Sequence, residues 1–423
     1  MATNIDTSRL SGWFKDRFGS DGSMLPDDGY DTLQKRVPFN SSKLLGEKLT
    51  QPMRAAHSSG WTFAGGSTTG TMFALNDANS PLTVEASWTS VEFVLREKTS
   101  WKAMRAAMSS AQAFGVQYDD MIMDMRKSAR LALEFNMLYG GSDLGTIESQ
   151  TGSSTDRVYT LSLASSTAGL WYKLQGTLFD IYSAYGGTKH NDNEDITVVS
   201  ADINASSGKV ELTVTGDATD LTNIDTDLGT AAVMIPKGAD GNMMVGIDAI
   251  AVNTGSYAGI SAATYPMWKS TSLAASSASA TYSKIMQALK RNRLKSGGGK
   301  RVCIISDATM TDIADNVTTL QRLDKGGAKA TIGPDSVTFT SPGGSVEFVS
   351  CLICKEGEAF IVDMGCFERI GSVDFTFDPT GKGNYYEPVA GFAGQEVIGY
   401  WDQTIKCDSP ASITKITGIV NTF

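Results

Sequence analysis

The residues with the clearest chemical potential form incomplete versions of known motifs. The run Gly297-Gly298-Gly299-Lys300 is similar to a phosphate-binding loop, but that loop needs a glycine at position 294 and Ser or Thr at 301. The chain has Leu294 and Arg301 at these positions. A glycine run that ends a helix therefore explains the segment better than a phosphate site does.

A nucleophilic triad is also incomplete. The stretch Gly259-Ile260-Ser261-Ala262-Ala263 is similar to a nucleophile elbow without its last glycine, and its base would have to be His57 or His190. His57 lies in a polar N-terminal stretch and His190 in a polar loop. Neither position favours a catalytic triad.

Metal-ligand patterns are incomplete in the same way. Cys351 and Cys354 form a Cys-x-x-Cys pair, but the strand-like residues around them would point the two thiols to opposite faces. A second ligand pair for zinc is missing, and the acidic loop 190–195 lacks the spacing and the glycine of a calcium loop. The sequence therefore predicts buried cysteines, an exposed polar loop, no metal, no cofactor and no enzyme activity.

Composition narrows the function classes further. The 423 residues include 46 Asp and Glu against 36 Lys and Arg, a net charge of −10. Such a chain does not favour a phosphate-reading surface, although an acidic wall can enclose nucleic acid without gripping it. Five cysteines, an odd number in a long chain, favour a reducing compartment. The sequence predicts neither a signal peptide nor a membrane helix, which needs ~18 consecutive apolar residues.

The N-terminal third predicts elements that need a surface to lie on. Residues 1–60 are polar with spaced aromatics, which favours an extended arm that anchors on a neighbouring subunit over a flexible tail. Residues 61–100 predict a long β-hairpin, with strand 71–75, turn 76–81 and a second strand whose alternation slips by one residue near Ser90. An isolated hairpin of this kind is marginally stable.

The remaining elements alternate between helix and strand. A long helix is predicted from about Tyr118 to the exit Gly140-Gly141, and residues 171–250 predict a small β-barrel or sandwich that contains the hairpin 196–203/210–214. Helix 280–300, buried strand 301–307 and helix 308–323 follow, with Asp307 as the expected cap of the last helix, and strands close the chain.

Three stretches of this series carry a family resemblance: "RLALEFNMLYG" (130–140), "GTLFDIY" (176–182) and "NTGSYAGISAATYPMWKS" (253–270). Together with the order of elements, they resemble the major capsid proteins of tailed bacteriophages, which share the Hong Kong 97-type fold. The resemblance implies an α+β fold with the domains N-terminal arm 1–60, extended β-hairpin loop 61–100, peripheral domain with its spine helix 101–170, β-barrel-like insertion 171–250, axial domain 251–345 and return strands 346–423.

The resemblance also implies a function in assembly. Subunits would form pentamers and hexamers of an icosahedral shell around double-stranded DNA without sequence-specific binding, with scaffolding, portal and cementing proteins as partners and no membrane. The shell would be assembled in the host bacterial cytoplasm and found in the virion capsid. The expected intersubunit contacts are Trp88, Phe93, Arg96 and Lys98 on the hairpin and Trp13, Phe14 and Phe18 on the arm.

Each of these residues has an alternative in its own subunit, as a core side chain or a solvated charge. An encapsulin-like bacterial nanocompartment and a β-rich phage surface or tail protein remain alternative functions. Some capsid relatives join a hairpin lysine to an asparagine of a neighbour, but here the turn 76–81 has no lysine and the first lysine of the hairpin is Lys98. The sequence therefore predicts a shell without covalent cross-links.

Overall fold

The structure is a computed structural model that describes residues 31–43, 48–63, 72–102, 117–153, 155–191, 195–226, 228, 232–321, 331–332, 336–341, 344–378, 387–389 and 391–421. These residues belong to two compact units. One unit contains Glu92–Ala132 and Phe375–Trp401, and the other contains Gly29–Val91, Leu133–Asp374 and Asp402–Phe423.

Strands outnumber helices in the described part of the chain. The strands are β1 Phe39–Asn40, β2 Lys48–Arg54, β3 Thr83–Thr89, β4 Val91–Ser100, β5 Gly145–Ser153, β6 Asp156–Leu161, β7 Leu178–Tyr182, β8 Ile196–Ile203, β9 Val210–Thr215, β10 Val233–Pro236, β11 Ser256–Tyr257, β12 Ile260–Ser261, β13 Thr271–Ala278, β14 Arg301–Ile305, β15 Thr331–Ile332, β16 Ser336–Ser341, β17 Gly344–Ser350, β18 Glu358–Val362, β19 Phe367–Thr376, β20 Glu387–Pro388, β21 Gly394–Cys407 and β22 Thr414–Ile419. The helices are α1 Gln117–Tyr139, α2 Ala168–Trp171, α3 Ala218–Thr226, α4 Ile247–Ile250, α5 Tyr282–Ser296 and α6 Asp307–Gln321.

The predicted long helix is confirmed as α1, which has 23 residues. Its N-terminal half buries Met121, Met125 and Ala129 at a spacing of four residues, and from Ala132 to Tyr139 every side chain is buried. The exit needs glycine, because a Cβ at Gly140 would lie 2.1 Å from the carbonyl oxygen of Met244. The end of α1 is therefore fixed by close backbone packing.

The smaller unit has its own apolar cluster. Strands β4 and β20 both pair with β21, and Met121 and Met125 of α1 pack with Val397 of β21. Leu95 and Phe377 lie against this cluster, and the Arg126 guanidinium lies 5.9 Å from the centre of the Phe377 ring.

A closed six-stranded barrel forms in the larger unit, with strand order β10-β5-β6-β9-β8-β7. Its β8–β9 hairpin matches the predicted one. The barrel also includes β5 and β6, which lie before the expected start at residue 171. The sequence of β5, GTIESQTGS, is mostly polar, so the apolar alternation that identifies a strand is weak there.

A seven-stranded sheet with order β13-β22-β18-β14-β17-β16-β15 completes the larger unit. The predicted buried strand is confirmed as β14, in which all five residues are buried, and the two predicted helices correspond to α5 and α6. The cap of α6 is Ser306, whose Oγ accepts a hydrogen bond from the N–H of Thr309 at 3.3 Å. The expected cap, Asp307, is instead the first residue of the helix.

Candidate interaction surface

A two-stranded ribbon of the larger unit has mainly exposed side chains. Strands β2 and β3 pair in antiparallel register from Lys48↔Thr89 to Arg54↔Thr83. The two limbs stay paired beyond the strands, since the N–H of Ala55 donates to the carbonyl of Leu82 at 2.8 Å and the N–H of Ser59 to that of Asn79 at 3.3 Å. We call residues 48–63 and 72–89 the ribbon.

The strand pairing in the ribbon differs from that of the predicted hairpin 61–100. Residues 72–75 of the expected first strand have no strand structure, while Thr71 lies outside the described residues. The true partner of β3 is β2, which the sequence analysis assigned to the arm 1–60. Pro52 interrupts the strand pattern of β2, but β2 pairs only with β3 among the described strands, and such an edge position tolerates proline.

The outer ribbon exposes large apolar side chains. Between Arg54 and Thr83, none of the described side chains is buried. Phe63 is 88% exposed, Leu75 77% and Trp61 70%. Large exposed apolar patches mark interaction sites in folded proteins. The remaining large apolar side chains of the outer ribbon are also exposed: Met72, Phe73 and Leu82.

The root of the ribbon is anchored in its own subunit through Trp88. Its Nε1–H donates to the Tyr257 hydroxyl at 2.8 Å, and its indole is 4% exposed. The Lys406 ammonium lies 5.3 Å from the centre of the Trp88 ring. Trp88, an expected intersubunit contact, is thus a buried side chain that positions the ribbon.

Tyr257 joins several backbone and side-chain groups at this root. Besides the Trp88 indole, its hydroxyl accepts from the N–H of Cys407 at 3.0 Å, and its ring stacks on Trp268 with centroids 6.0 Å apart. Burial raises the pKa of Tyr257 well above its ordinary value. The irregular aromatic stretch 253–270 therefore supplies a neutral hydrogen-bond hub below the ribbon.

A cleft of about 170 Å³ opens beside the root. Met53 and Val84 of the ribbon form part of it, and Tyr265 and Trp268 form another part. Its other lining residues are Arg54, Ala55, Ile260, Met267, Asp408 and Ser409. The lining of the cleft is mainly apolar.

The other described residues of the predicted contact set lie on β4 in the smaller unit. Phe93 stacks on Trp401 with ring centroids 3.9 Å apart. Arg96 forms an ion pair with Glu396, with Nε and Oε2 2.5 Å apart, and the side chain of Lys98 is exposed. The structure thus brings Phe93 and Arg96 into contacts with β21, and the arm residues Trp13, Phe14 and Phe18 lie outside the described residues.

The incomplete motifs of the sequence have structural roles. Gly297 follows α5 with φ of 76°, as expected for a helix-ending glycine. Cys351 and Cys354 are buried as predicted, but in a turn closed by a 3.0 Å backbone hydrogen bond and not in a strand. Burial raises the pKa of the Cys351 thiol to about 12, which disfavours the reactive thiolate.

Two further findings concern the described ranges as a whole. They contain no cluster of three or more His, Cys, Asp or Glu side chains that could hold a metal ion. None of their helices combines the length and the apolar character that crossing a membrane requires.

Comparison with known structures identifies the fold. The chain is similar to one in the Cyanophage A-1(L) capsid asymmetric unit, with a TM-score of 0.54 and 12% identity over 98% of this chain and 99% of that one. It is also similar to chains in the capsid of the empty GTA particle computed with C5 symmetry (TM-score 0.47, 8% identity, 99% and 100% coverage) and in the capsid structure of the Cyanophage P-SCSP1u (0.46, 10%, 100% and 97%). No protein-family model matches the sequence, and no curated protein has a significant match to it. The expected α+β phage-capsid fold is confirmed.

Proposed function

We propose that this chain is the major capsid protein of a tailed bacteriophage, which self-assembles into pentamers and hexamers of an icosahedral shell around double-stranded DNA. The observation that carries the proposal is the exposed apolar ribbon on a chain with a phage-capsid fold over nearly its whole length. In this account the ribbon is an association surface, and the protein is not an enzyme.

The energetics of the ribbon support association. Fully burying one large apolar side chain contributes about 1.5–3 kcal/mol, and the outer ribbon exposes six such side chains. The contact is heterologous, because a projecting limb of one subunit lies on a different surface of the next. Heterologous contacts close into rings when the rotation between neighbours allows it.

Side-chain exposure indicates which residues of the ribbon contact a neighbouring subunit. We infer that Trp61, Phe63 and Leu75 make the main apolar contacts of the ribbon, since they are among its most exposed side chains. The exposed Lys98 and the β4 residues Phe93 and Arg96 remain proposed contacts in the smaller unit. Trp13, Phe14 and Phe18 remain proposed anchors of the arm.

The proposed function also implies contents, partners and a place of assembly for the shell. A net charge of −10 suits a wall along which packaged DNA slides without sequence-specific binding. Scaffolding, portal and cementing proteins are proposed partners, and assembly in the host cytoplasm is the proposed route to the virion. The five free cysteines, four of them buried, are compatible with that reducing compartment.

Ribbon variants with a matched control test the proposal. We expect Trp61→Ser/Phe63→Ser to leave the subunit folded and to lower the yield of rings or shells at least tenfold, measured by sedimentation velocity. The control is Val199→Ser on the barrel, which also removes an exposed apolar side chain and is expected to leave the yield unchanged. Equal yields for the ribbon variant and the control would contradict the ribbon's role.

The shell is also predicted to lack covalent cross-links. Attack on an asparagine of a neighbour needs a desolvated, neutral lysine, but the only lysine of the ribbon sequence is Lys48 at its root, and its side chain is exposed. Mature particles boiled in detergent and reductant should give one band near 45.0 kDa. A surviving ladder of multiples would refute the prediction and direct attention to Lys48, Lys98 and Lys102.

A further inference from the structure

Charge is segregated within the part of the chain that forms the seven-stranded sheet. Between Asp248 and Asp307 the sequence has no Asp or Glu, although it has eight Lys and Arg residues there. This excess of positive charge stands in a chain whose net charge is −10. Helix α5 carries most of it.

The outward face of α5 joins two cations to an apolar side chain. Lys290, Arg291 and Leu294 are exposed at neighbouring positions, and Leu294 is 79% exposed. Across the described part of the chain, neither Lys290 nor Arg291 has a hydrogen bond or an ion pair. The described residues therefore do not compensate their charge.

Other basic groups of the same region are used internally. The Lys295 ammonium donates to the carbonyls of Lys269 at 2.9 Å and Ser270 at 3.2 Å, and Arg301 pairs with Asp363 at 2.7 Å. The difference separates cations that stabilise the subunit from the two that face outward. We call Lys290, Arg291 and Leu294 the basic face.

Helix α6 has the opposite character. It contains three aspartates and no Lys or Arg, and the side chains of Asp307, Thr311 and Asp315 are exposed along its first two turns. Burial, followed by the charges of Asp307 and Asp312, raises the pKa of nearby Glu356. The charged side chains within α6 are thus all acidic. We call Asp307, Thr311 and Asp315 the acidic face.

The two helices are neighbours on one surface of the sheet. Ile285 of α5 and Ile313 of α6 belong to the same apolar cluster, so both helices lie on the same side of the sheet. Helix α5 packs on β13, β22 and β18 and also contacts α6, which packs on β17. One subunit thus presents opposite charges on two neighbouring helices.

We propose that the basic face of one copy docks on the acidic face of a second copy, so that neighbouring subunits contact each other head to tail. This inference rests on the proposed shell function and names the surfaces that orient subunits within a ring. Two different, complementary patches on one chain are what a heterologous ring contact requires. Exposed Leu294 between the cations favours a protein partner over nucleic acid, because a phosphate backbone offers an apolar side chain no matching surface.

Charge reversal and its compensation test the docking. We expect Lys290→Glu/Arg291→Glu to lower ring yield at least tenfold in sedimentation velocity, with an unchanged circular-dichroism spectrum. Adding Thr311→Lys/Asp315→Lys to the same chain restores opposite charges across each contact and should recover most of the yield. The control, Lys209→Glu/Lys237→Glu, makes the same change in net charge on the barrel. It also breaks ion pairs with Glu148 and Asp195 and should still assemble normally.

The outcomes separate this inference from the proposed function. Normal rings from Lys290→Glu/Arg291→Glu would overturn the docking while leaving the shell function intact, and so would a fourfold variant that shows no recovery. Normal rings with weaker retention of a DNA duplex in a mobility-shift assay would assign the basic face to nucleic acid instead. A wild-type chain that forms no ring under any condition would overturn both.

Discussion

The closed barrel and the ribbon, both in the larger unit, differ in where their large apolar side chains lie: the barrel buries them and the outer ribbon exposes them. Each barrel strand contributes at least one side chain with 0% exposure, among them Phe179 and Leu212, and closure leaves no unpaired sheet edge. The outer ribbon exposes its large apolar side chains, and among the described strands β2 and β3 of the ribbon pair only with each other. The barrel buries its apolar side chains within one subunit, whereas those of the outer ribbon are buried only when another surface covers them.

This contrast separates residues that stabilise the subunit from residues that stabilise the assembly. Removal of a buried barrel side chain should act on folding, and removal of an exposed ribbon side chain should act on association. Trp88 and Tyr257 form the boundary, since they are buried and hold the exposed limbs in place. Substitutions in the barrel, the boundary and the ribbon therefore test the account at three points.

The largest effect is expected for Phe179→Ala in the barrel. Phe179 is 0% exposed and packs against Trp171 with ring centroids 5.2 Å apart, so its truncation should lower the free energy of unfolding by about 3–5 kcal/mol. Phe63→Ala on the ribbon should change it by less than about 0.5 kcal/mol. Urea unfolding of dissociated subunits measures the free energy of unfolding of both variants. Equal losses would contradict the distinction between barrel and ribbon side chains.

The next effect concerns pH and the buried Glu134, whose carboxylate accepts the backbone N–H groups of Leu33 at 2.5 Å and Gln34 at 3.1 Å. Burial raises its pKa from 4.5 to about 7, assisted by the charge of Asp31 and opposed by these hydrogen bonds and by Arg369. The native state therefore holds the proton more tightly than the unfolded state does. The resulting stability is full below pH 4.5 and is lost as the pH rises through 7.

Because one pKa unit corresponds to 1.36 kcal/mol, the loss amounts to roughly 3 kcal/mol. Urea unfolding of dissociated subunits at a series of pH values should show this decline in the wild type. Glu134→Gln cannot ionise, so its stability should decline less by that amount. A variant with the same pH dependence as the wild type would refute the assignment to Glu134.

An effect of similar size is expected at the ribbon root from Tyr257→Phe. The substitution keeps the ring stacked on Trp268 but leaves the Trp88 indole and the Cys407 amide without their acceptor. Each unsatisfied buried donor costs about 1–3 kcal/mol, and the ribbon loses its fixed direction. We expect lower stability together with a lower assembly yield, and a loss of stability at normal yield would show that the root does not position the ribbon.

Long, strongly periodic elements could be predicted from the sequence, and long-range pairings could not. The spacing of apolar residues and the glycine exit identify α1, and the continuous apolar run identifies β14. The pairing of β2 with β3 could not be predicted, since Pro52 breaks the local pattern and the paired residues lie 29 to 41 positions apart. The role of Trp88 is hidden for a similar reason, because its partner Tyr257 is distant in sequence.

The smallest effect on folding is expected for charge reversal on β4. Lys98→Glu changes an exposed side chain and should leave the free energy of unfolding within about 0.5 kcal/mol of the wild type, while it impairs assembly if β4 lies on an acidic neighbour. Arg96→Glu also breaks the ion pair with Glu396, so the single Lys98 variant gives the cleaner result. Unchanged shell yield from Lys98→Glu would remove β4 from the proposed contact.

The central claim, that this chain completes itself only in an assembly, is tested most directly by negative-stain microscopy of the purified wild-type protein. We expect rings or closed shells, either from the chain alone or after addition of a scaffolding partner. A monodisperse monomer at high concentration, even with phage lysate proteins added, would contradict the account.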